Sequence, residues 1–264
     1  MKSLQSVWGL FLLCVGFACV SVVCAGEVPA WFRGERLDFE VGYGFITAGD
    51  ATLLTKFPAG DTNHLEFLTL AHNNGFFESV YPVSDTIRTH VRRRDLAPES
   101  FRKVNHEGGF HSRSQILFDV DAHKARLSDS VMGDHHTIKR SSDSTVTLDG
   151  ETHCIISAFY KVRTLALEPG REWHLLAVSG KKKYRMRVIC HRRETVTVLA
   201  GTFPCLVVEP VLEDDGIFQS KGSLTIWLSD DARRLPVLMK SKIAVGSIRA
   251  ELKSWNQGPN ALHP

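Results

Sequence analysis

From Arg36 onward the chain alternates. Leu37, Phe39, Val41 and Tyr43 interleave with Arg36, Asp38, Glu40 and Gly42, the two-residue period of a strand with one face in a core and the other in water. Ile116, Phe118 and Val120 repeat the pattern, as do Leu224, Ile226 and Leu228. Leu235, Val237, Met239, Ser241, Ile243 and Val245 take one side of a later run and Lys240 and Lys242 the other; Ile248, Ala250 and Leu252 then alternate with Arg249, Glu251 and Lys253. Short turn signals separate the runs, among them Pro58-Ala59-Gly60-Asp61, Asn73-Asn74-Gly75, Gly108-Gly109, Ala200-Gly201 and Gly246-Ser247. Links this short join antiparallel neighbours. One run is apolar on both sides: Phe203, Cys205 and Val207 against Leu206, Val208 and Leu212. Such a strand is covered on both faces.

One segment breaks the period. Between Thr152 and Leu167, the apolar residues Ile155, Ile156, Phe159, Val162 and Leu165 recur at three and four. Asp149 or Thr152 offers a cap and Pro169-Gly170 ends the run, so the spacing predicts one amphipathic helix over 152–167. Its stripe needs a surface, and the concave face of a bent sheet supplies one. The predicted fold is all-β: a strongly curved antiparallel sheet or open barrel with this helix packed in its concavity. No repeat or linker divides it, so 26–257 reads as one domain and 258–264 as a frayed tail.

The first residues do not belong to that domain. Lys2 precedes a nearly unbroken apolar run from Val7 to Val23, and Val23-Cys24-Ala25 offers a small-residue cleavage site before Gly26. This is the layout of a secretory signal peptide over 1–25, and it predicts a periplasmic protein. Cys19 and Cys24 each sit in an imperfect lipobox, so an outer-membrane lipoprotein is the less favoured outcome. No later apolar run reaches membrane-spanning length. A net charge of +3 demands no anionic partner. The mature chain keeps Cys154, Cys190 and Cys205. With the turn near Ala200-Gly201, Cys205 should face a residue near Thr197 rather than Cys190, which favours three buried thiols over a disulfide.

Candidate chemistry is sparse. Asp134-His135-His136 and the Asp119, Asp121, His123 series lack the convergence a metal needs, because neighbours on a strand point to opposite faces. There is no G-x-S-x-G elbow, and Ser100-Phe101-Arg102-Lys103 lies on a predicted strand where its ends diverge. Two basic stripes stand out: Arg88, His90, Arg92 and Arg94, and Lys181, Lys183, Arg185 and Arg187. If brought together they would attract phosphates or an anionic membrane; otherwise they solubilise a sheet face. Aromatic residues do not interleave with them, which argues against nucleic acid. Phe76 and Phe77, beside the Asn73-Asn74-Gly75 turn, offer apolar side chains for a cavity mouth or a membrane interface.

The chain resembles an exported bacterial family known as domain of unknown function 3108. The resemblance rests on Gly34-Glu35-Arg36-Leu37 followed by Ile46-Thr47-Ala48-Gly49-Asp50-Ala51. It continues in Ser157, Tyr160 and Arg163 of the helix, in Ala200-Gly201-Thr202-Phe203, and in Trp227 to Asp231 through Arg234-Leu235-Pro236 to Gly246-Ser247-Ile248. It spans roughly 33–255 and implies an exported β-rich fold without an assigned activity. In outline the fold is similar to periplasmic lipoprotein carriers, half-barrels that hold acyl chains.

The expected function is therefore non-catalytic: holding an apolar or amphiphilic ligand, such as a lipid or a lipoprotein acyl chain, or a partner protein of the envelope. Phe159, Leu165, Phe76 and Phe77 would meet the apolar part, and Arg88, Arg92, Arg185 and Arg187 an anionic head group. No cofactor, metal or catalytic residue is assigned. An envelope hydrolase with a dispersed triad, or an assembly factor without a ligand, are the alternatives.

Overall fold

The computed structural model describes residues 29, 34–73, 75–133, 137–180, 182–213, 223–242 and 246–257. The predicted signal peptide, Asp134-His135-His136, Lys181, Ile243, Val245 and the tail 258–264 lie outside them. The first half of the chain forms β1 (Arg36–Tyr43), β2 (Ile46–Lys56), β3 (His64–Asn73), a short helix α1 (Gly75–Val80), β4 (Ser84–Arg92), β5 (Pro98–Glu107), β6 (Phe110–Asp119), β7 (Lys124–Met132) and β8 (Ile138–Thr147). The second half forms β9 (Thr152–His153), α2 (Ile155–Val162), β10 (Glu172–Ser179), β11 (Lys182–Val198), β12 (Gly201–Leu212), β13 (Leu224–Ser229), β14 (Pro236–Lys242) and β15 (Ser247–Asn256).

All fifteen described strands make one sheet in the order β8-β7-β6-β5-β4-β3-β2-β1-β15-β14-β13-β12-β11-β10-β9. Two meanders run outward, and the antiparallel pairing of β1 with β15 joins them. The sheet curls but does not close, since β8 and β9 remain edges. Among the described strands only β9 pairs parallel, through two residues against β10.

The curl is visible in what α2 touches. Tyr160 packs with Leu65, Phe67 and Val91 of β3 and β4, its ring stacked 3.7 Å from that of Phe67. Ala158 and Val162 pack with Met186, Val188, Leu206 and Ile226 on the other meander. Ile156 reaches the cluster of Phe101, Ile116 and Leu127. A single eight-residue helix can meet strands from both halves only if the sheet wraps around it. The predicted all-β fold with a helix in its concavity is the observed one.

The helix is shorter than its stripe predicts. Cys154, not Asp149 or Thr152, is the N-cap: its thiol faces the Ser157 N–H, and the Ser157 hydroxyl accepts from the Cys154 N–H at 3.0 Å. Thr152 and His153 are drawn into β9 instead. Beyond Val162 the Thr164 and Leu165 N–H groups bond three residues back, to Lys161 and Val162, so the last turn tightens and ends.

In β12, Leu206 and Val208 face the α2 cluster, while Cys205 and Val207 join a cluster built on Leu37, Phe39 and Leu252. A bulge in β11 between Cys190 and Arg192 lets this strand serve the α2 cluster on one side of the bulge and the Leu37 cluster on the other. The β11–β12 hairpin turns at Leu199-Ala200, with Val198 opposite Gly201. Cys205 consequently lies opposite Glu194, three residues from the expected Thr197, and Cys190 lies opposite Val208. Cys154, Cys190 and Cys205 are free and buried. Burial raises each thiol, Cys205 to about 12, so all three stay protonated and poor as nucleophiles.

Candidate functional site

The two ends of the curled sheet differ. At one end lie the β2–β3, β4–β5, β11–β12 and β13–β14 turns, and this end is shut. The Arg163 guanidinium, fully buried, forks onto the Glu35 carboxylate at 2.7 and 2.8 Å. It also donates to the carbonyls of Arg234 and Arg233 at 2.9 and 3.2 Å. The Gln257 side-chain amide adds a further donor to Glu35, at 3.1 Å. Glu35 precedes β1, Arg163 caps the C-terminus of α2, and 233–234 form part of the β13–β14 turn. The scattered motif residues of the sequence thus converge on one buried ion pair. Gly49 of the second motif has its own reason: a Cβ there would stand 2.2 Å from the His72 carbonyl oxygen.

The other end is open among the described residues. Between α2 and the sheet lies a cavity of about 750 Å³. Ile155, Ile156, Ala158, Phe159 and Val162 form one wall; Ala51 and Leu53 of β2, Ala177 and Val178 of β10, Met186 of β11, Leu212 of β12, Ile226 of β13 and Met239 of β14 form the others. The lining is overwhelmingly hydrocarbon and the size falls in the range of sites that hold small molecules. Its few polar members include Tyr184, Glu209, Ser223 and Lys242. The Glu209 carboxylate already pairs with His191 at 2.8 Å, whereas the exposed Lys242 has no carboxylate partner among the described residues.

Of the residues singled out from sequence, Phe159 lines this cavity. Leu165 lies past the helix end, half-buried against the Ala158–Val162 cluster. Phe76 and Phe77 fall in α1, their side chains outside the described part. The two basic stripes do not meet. β4 and β11 are separated by seven strands in the sheet, and Arg94 lies in the turn after β4. Arg88 pairs with Glu66 at 3.1 Å and Arg92 with Asp95 at 2.9 Å. Arg187 lies near Glu172 and Glu213, at 3.3 and 3.6 Å. Arg185 and Arg187 alternate with Tyr184 and Met186, the β11 residues that line the cavity, so they belong to the outer face. The wall residues Ala177, Ile226 and Met239 escaped sequence reading as site residues, because an apolar side chain facing a void carries the same pattern as one facing a neighbour.

One cluster has the outline of a hydrolytic relay. His153 Nδ1 lies 3.2 Å from the Ser157 hydroxyl and its Nε2 3.1 Å from Glu151. The bond to His153, aided by Lys161, holds the Glu151 carboxyl down at about 2. Ser157 and His153 are both fully buried, and the Ser157 hydroxyl is engaged with the Cys154 backbone. The cluster fixes the start of α2 and offers no nucleophile to the cavity, whose lining excludes Ser157.

A family model described as a protein of unknown function, DUF3108, matches residues 38–253. No curated protein matches the chain. Among solved structures, a β-barrel-like protein of domain of unknown function DUF1849 from Brucella abortus superposes with a TM-score of 0.54 at 10% identity, covering 89% of this chain and 99% of that one. A protein with a YmcC-like fold from Bacteroides fragilis gives a TM-score of 0.33 at 13% identity, over 89% of this chain and 100% of its own. The first of these likenesses supports the fold.

Proposed function

We propose, for a chain that belongs to the DUF3108 family, that it is a non-catalytic binding protein of the cell envelope and holds an apolar or amphiphilic ligand between α2 and the sheet. The observation that carries this reading is the cavity of about 750 Å³ walled by aliphatic side chains and open at one end. Such a space strips water from hydrocarbon. Each methylene buried contributes about 0.8 kcal/mol, so an acyl chain of about ten carbons gains about 8 kcal/mol to set against the cost of ordering it. An export signal over 1–25 would deliver the protein to lipids of the envelope.

The test is uptake of an apolar fluorophore and its displacement by a long-chain fatty acid, with wild type beside Met239→Trp and Ala177→Leu. Both substitutions add bulk to the cavity wall. They are expected to weaken binding about tenfold or more, while unfolding shows a loss of about 1–3 kcal/mol from overpacking. A wild type that takes up neither probe nor fatty acid would leave an assembly role without ligand as the better reading.

A further inference from the structure

The open end carries a second feature that the cavity does not explain. Phe45, at the tip of the β1–β2 turn, is 103% exposed, as open to water as in an unfolded chain. Beside it Ile46 is 56% exposed, Ile248 40% and Tyr43 38%. These are not scattered residues: Tyr43 lies opposite Ile46 on one side and Ile248 on the other. Three neighbouring strands thus present one apolar lip.

The lip continues the cavity wall. Met239 of β14 lines the cavity and lies opposite Ala250, which lies opposite Val41. Two residues further along each strand come Ser241, Ile248 and Tyr43, on the same face by the strand period. The inner hydrocarbon surface therefore runs out through the mouth and onto the lip. Cations stand at the same end: Lys242 at the mouth and Lys182 after the β10–β11 turn, both exposed and without a carboxylate partner among the described residues. Glu78 of α1 is an exposed opposing charge there. At the opposite end the exposed apolar residue in the β11–β12 turn, Leu199, 58% exposed, borders the buried core of the shut end, not a cavity.

We infer that this lip docks end-on to an anionic lipid bilayer, with Phe45 and Ile46 entering the interface and Lys242 and Lys182 meeting phosphate head groups. An exposed apolar residue on a tight turn, at an end of the sheet that also carries cations, has the make-up of an interfacial anchor, and an exposed patch of this kind marks a membrane or protein contact. The bilayer is favoured over a protein because the lip opens directly from a hydrocarbon cavity, so a ligand would pass between the two without crossing water. The choice of a bilayer rests on the binding reading, and docking to vesicles is measured apart from uptake by the cavity.

The test is co-sedimentation of the purified protein with phosphatidylcholine vesicles, with and without added phosphatidylglycerol. Wild type should bind, more strongly with phosphatidylglycerol. The double variant Phe45→Ser, Ile46→Ser should bind about tenfold less or weaker still, since two apolar side chains no longer enter the interface. Leu199→Ser should bind as wild type does. Lys242→Glu should lose only the phosphatidylglycerol-dependent part, and added salt should abolish its difference from wild type. All variants should melt with the wild type, because the changed residues are exposed. No sedimentation of the wild type, equal binding by the Phe45/Ile46 variant, or an equal loss in Leu199→Ser overturns the inference. So does self-association of the wild type that the Phe45/Ile46 variant abolishes, which would make the lip a protein contact. Fluorophore uptake without vesicles should be unchanged in that variant, so failure of docking and failure of the cavity are read separately.

Discussion

Arg163 is the residue on which the most distant parts of the chain depend. A buried ion pair loses much to desolvation and is favourable only when its geometry is excellent and its other donors are satisfied. Here the fork onto Glu35 is bidentate, and two backbone carbonyls take further donors. Removing one partner strands the other charge. Arg163→Met and Glu35→Leu are each expected to lose about 3–5 kcal/mol, and the double variant Arg163→Met, Glu35→Leu much less than the sum. Denaturant unfolding of all four proteins measures this, and additive losses would show that the pair is not coupled. His64 is a smaller, pH-dependent case. Asp61 at 2.5 Å, with Glu99 at 3.0 Å on the other ring nitrogen, raises its pKa above the usual 6.5. A pKa raised by folding contributes stability that is complete below 6.5 and is lost as pH rises through the folded value. Melting of wild type and His64→Asn should therefore converge as pH rises from 6.5 through the raised folded value. The gap at low pH should be modest, since the pair is partly exposed.

At the scale of elements, α2 serves both as core and as cavity wall. Phe159 packs against three of the hydrophobic clusters and also lines the cavity. Phe159→Ala should cost about 2–3 kcal/mol, below the range for a fully enclosed Phe, and should admit a bulkier fluorophore. Leu165→Ala, beyond the helix, should cost about 1 kcal/mol. Equal losses in urea unfolding would place Leu165 in the core with Phe159. Much of this was legible in the sequence. The alternation along β1 and β15 marked strands, and the stripe from Ile155 to Val162 marked a helix in a concavity. What stayed hidden is polar or long-range. Ser157 and Arg163 are completely buried although no apolar stripe includes them, and the partner of Arg163 lies 128 residues away. The partner of Cys205 is Glu194 rather than a residue near Thr197, because the hairpin turns at Leu199-Ala200 and not around Gly201. A turn signal locates the reversal only loosely, and each residue of displacement moves every cross-strand partner by two. Ile155 reads as core in sequence yet is 52% exposed and lines the cavity.

At the scale of the molecule, the pairing of β1 with β15 has a consequence for how the chain comes into being. A polypeptide emerges from its N-terminus, at about 5–20 residues per second during synthesis. β2 follows β1 at once, so one side of β1 is satisfied early. Its other side waits for residues 247–256, the last strand of all. Through nearly the whole of emergence β1 offers an unpaired edge, the kind of template on which chains join one another. Glu35, just before it, likewise waits for Arg163, and Arg163 in turn for the carbonyls of 233 and 234 that complete the enclosure. Joining the two meanders through β1 and β15 thus cannot precede the synthesis of the last strand. An incomplete chain leaves that border of β1 unpaired, and whatever keeps it apart from its neighbours matters until Asn256 arrives.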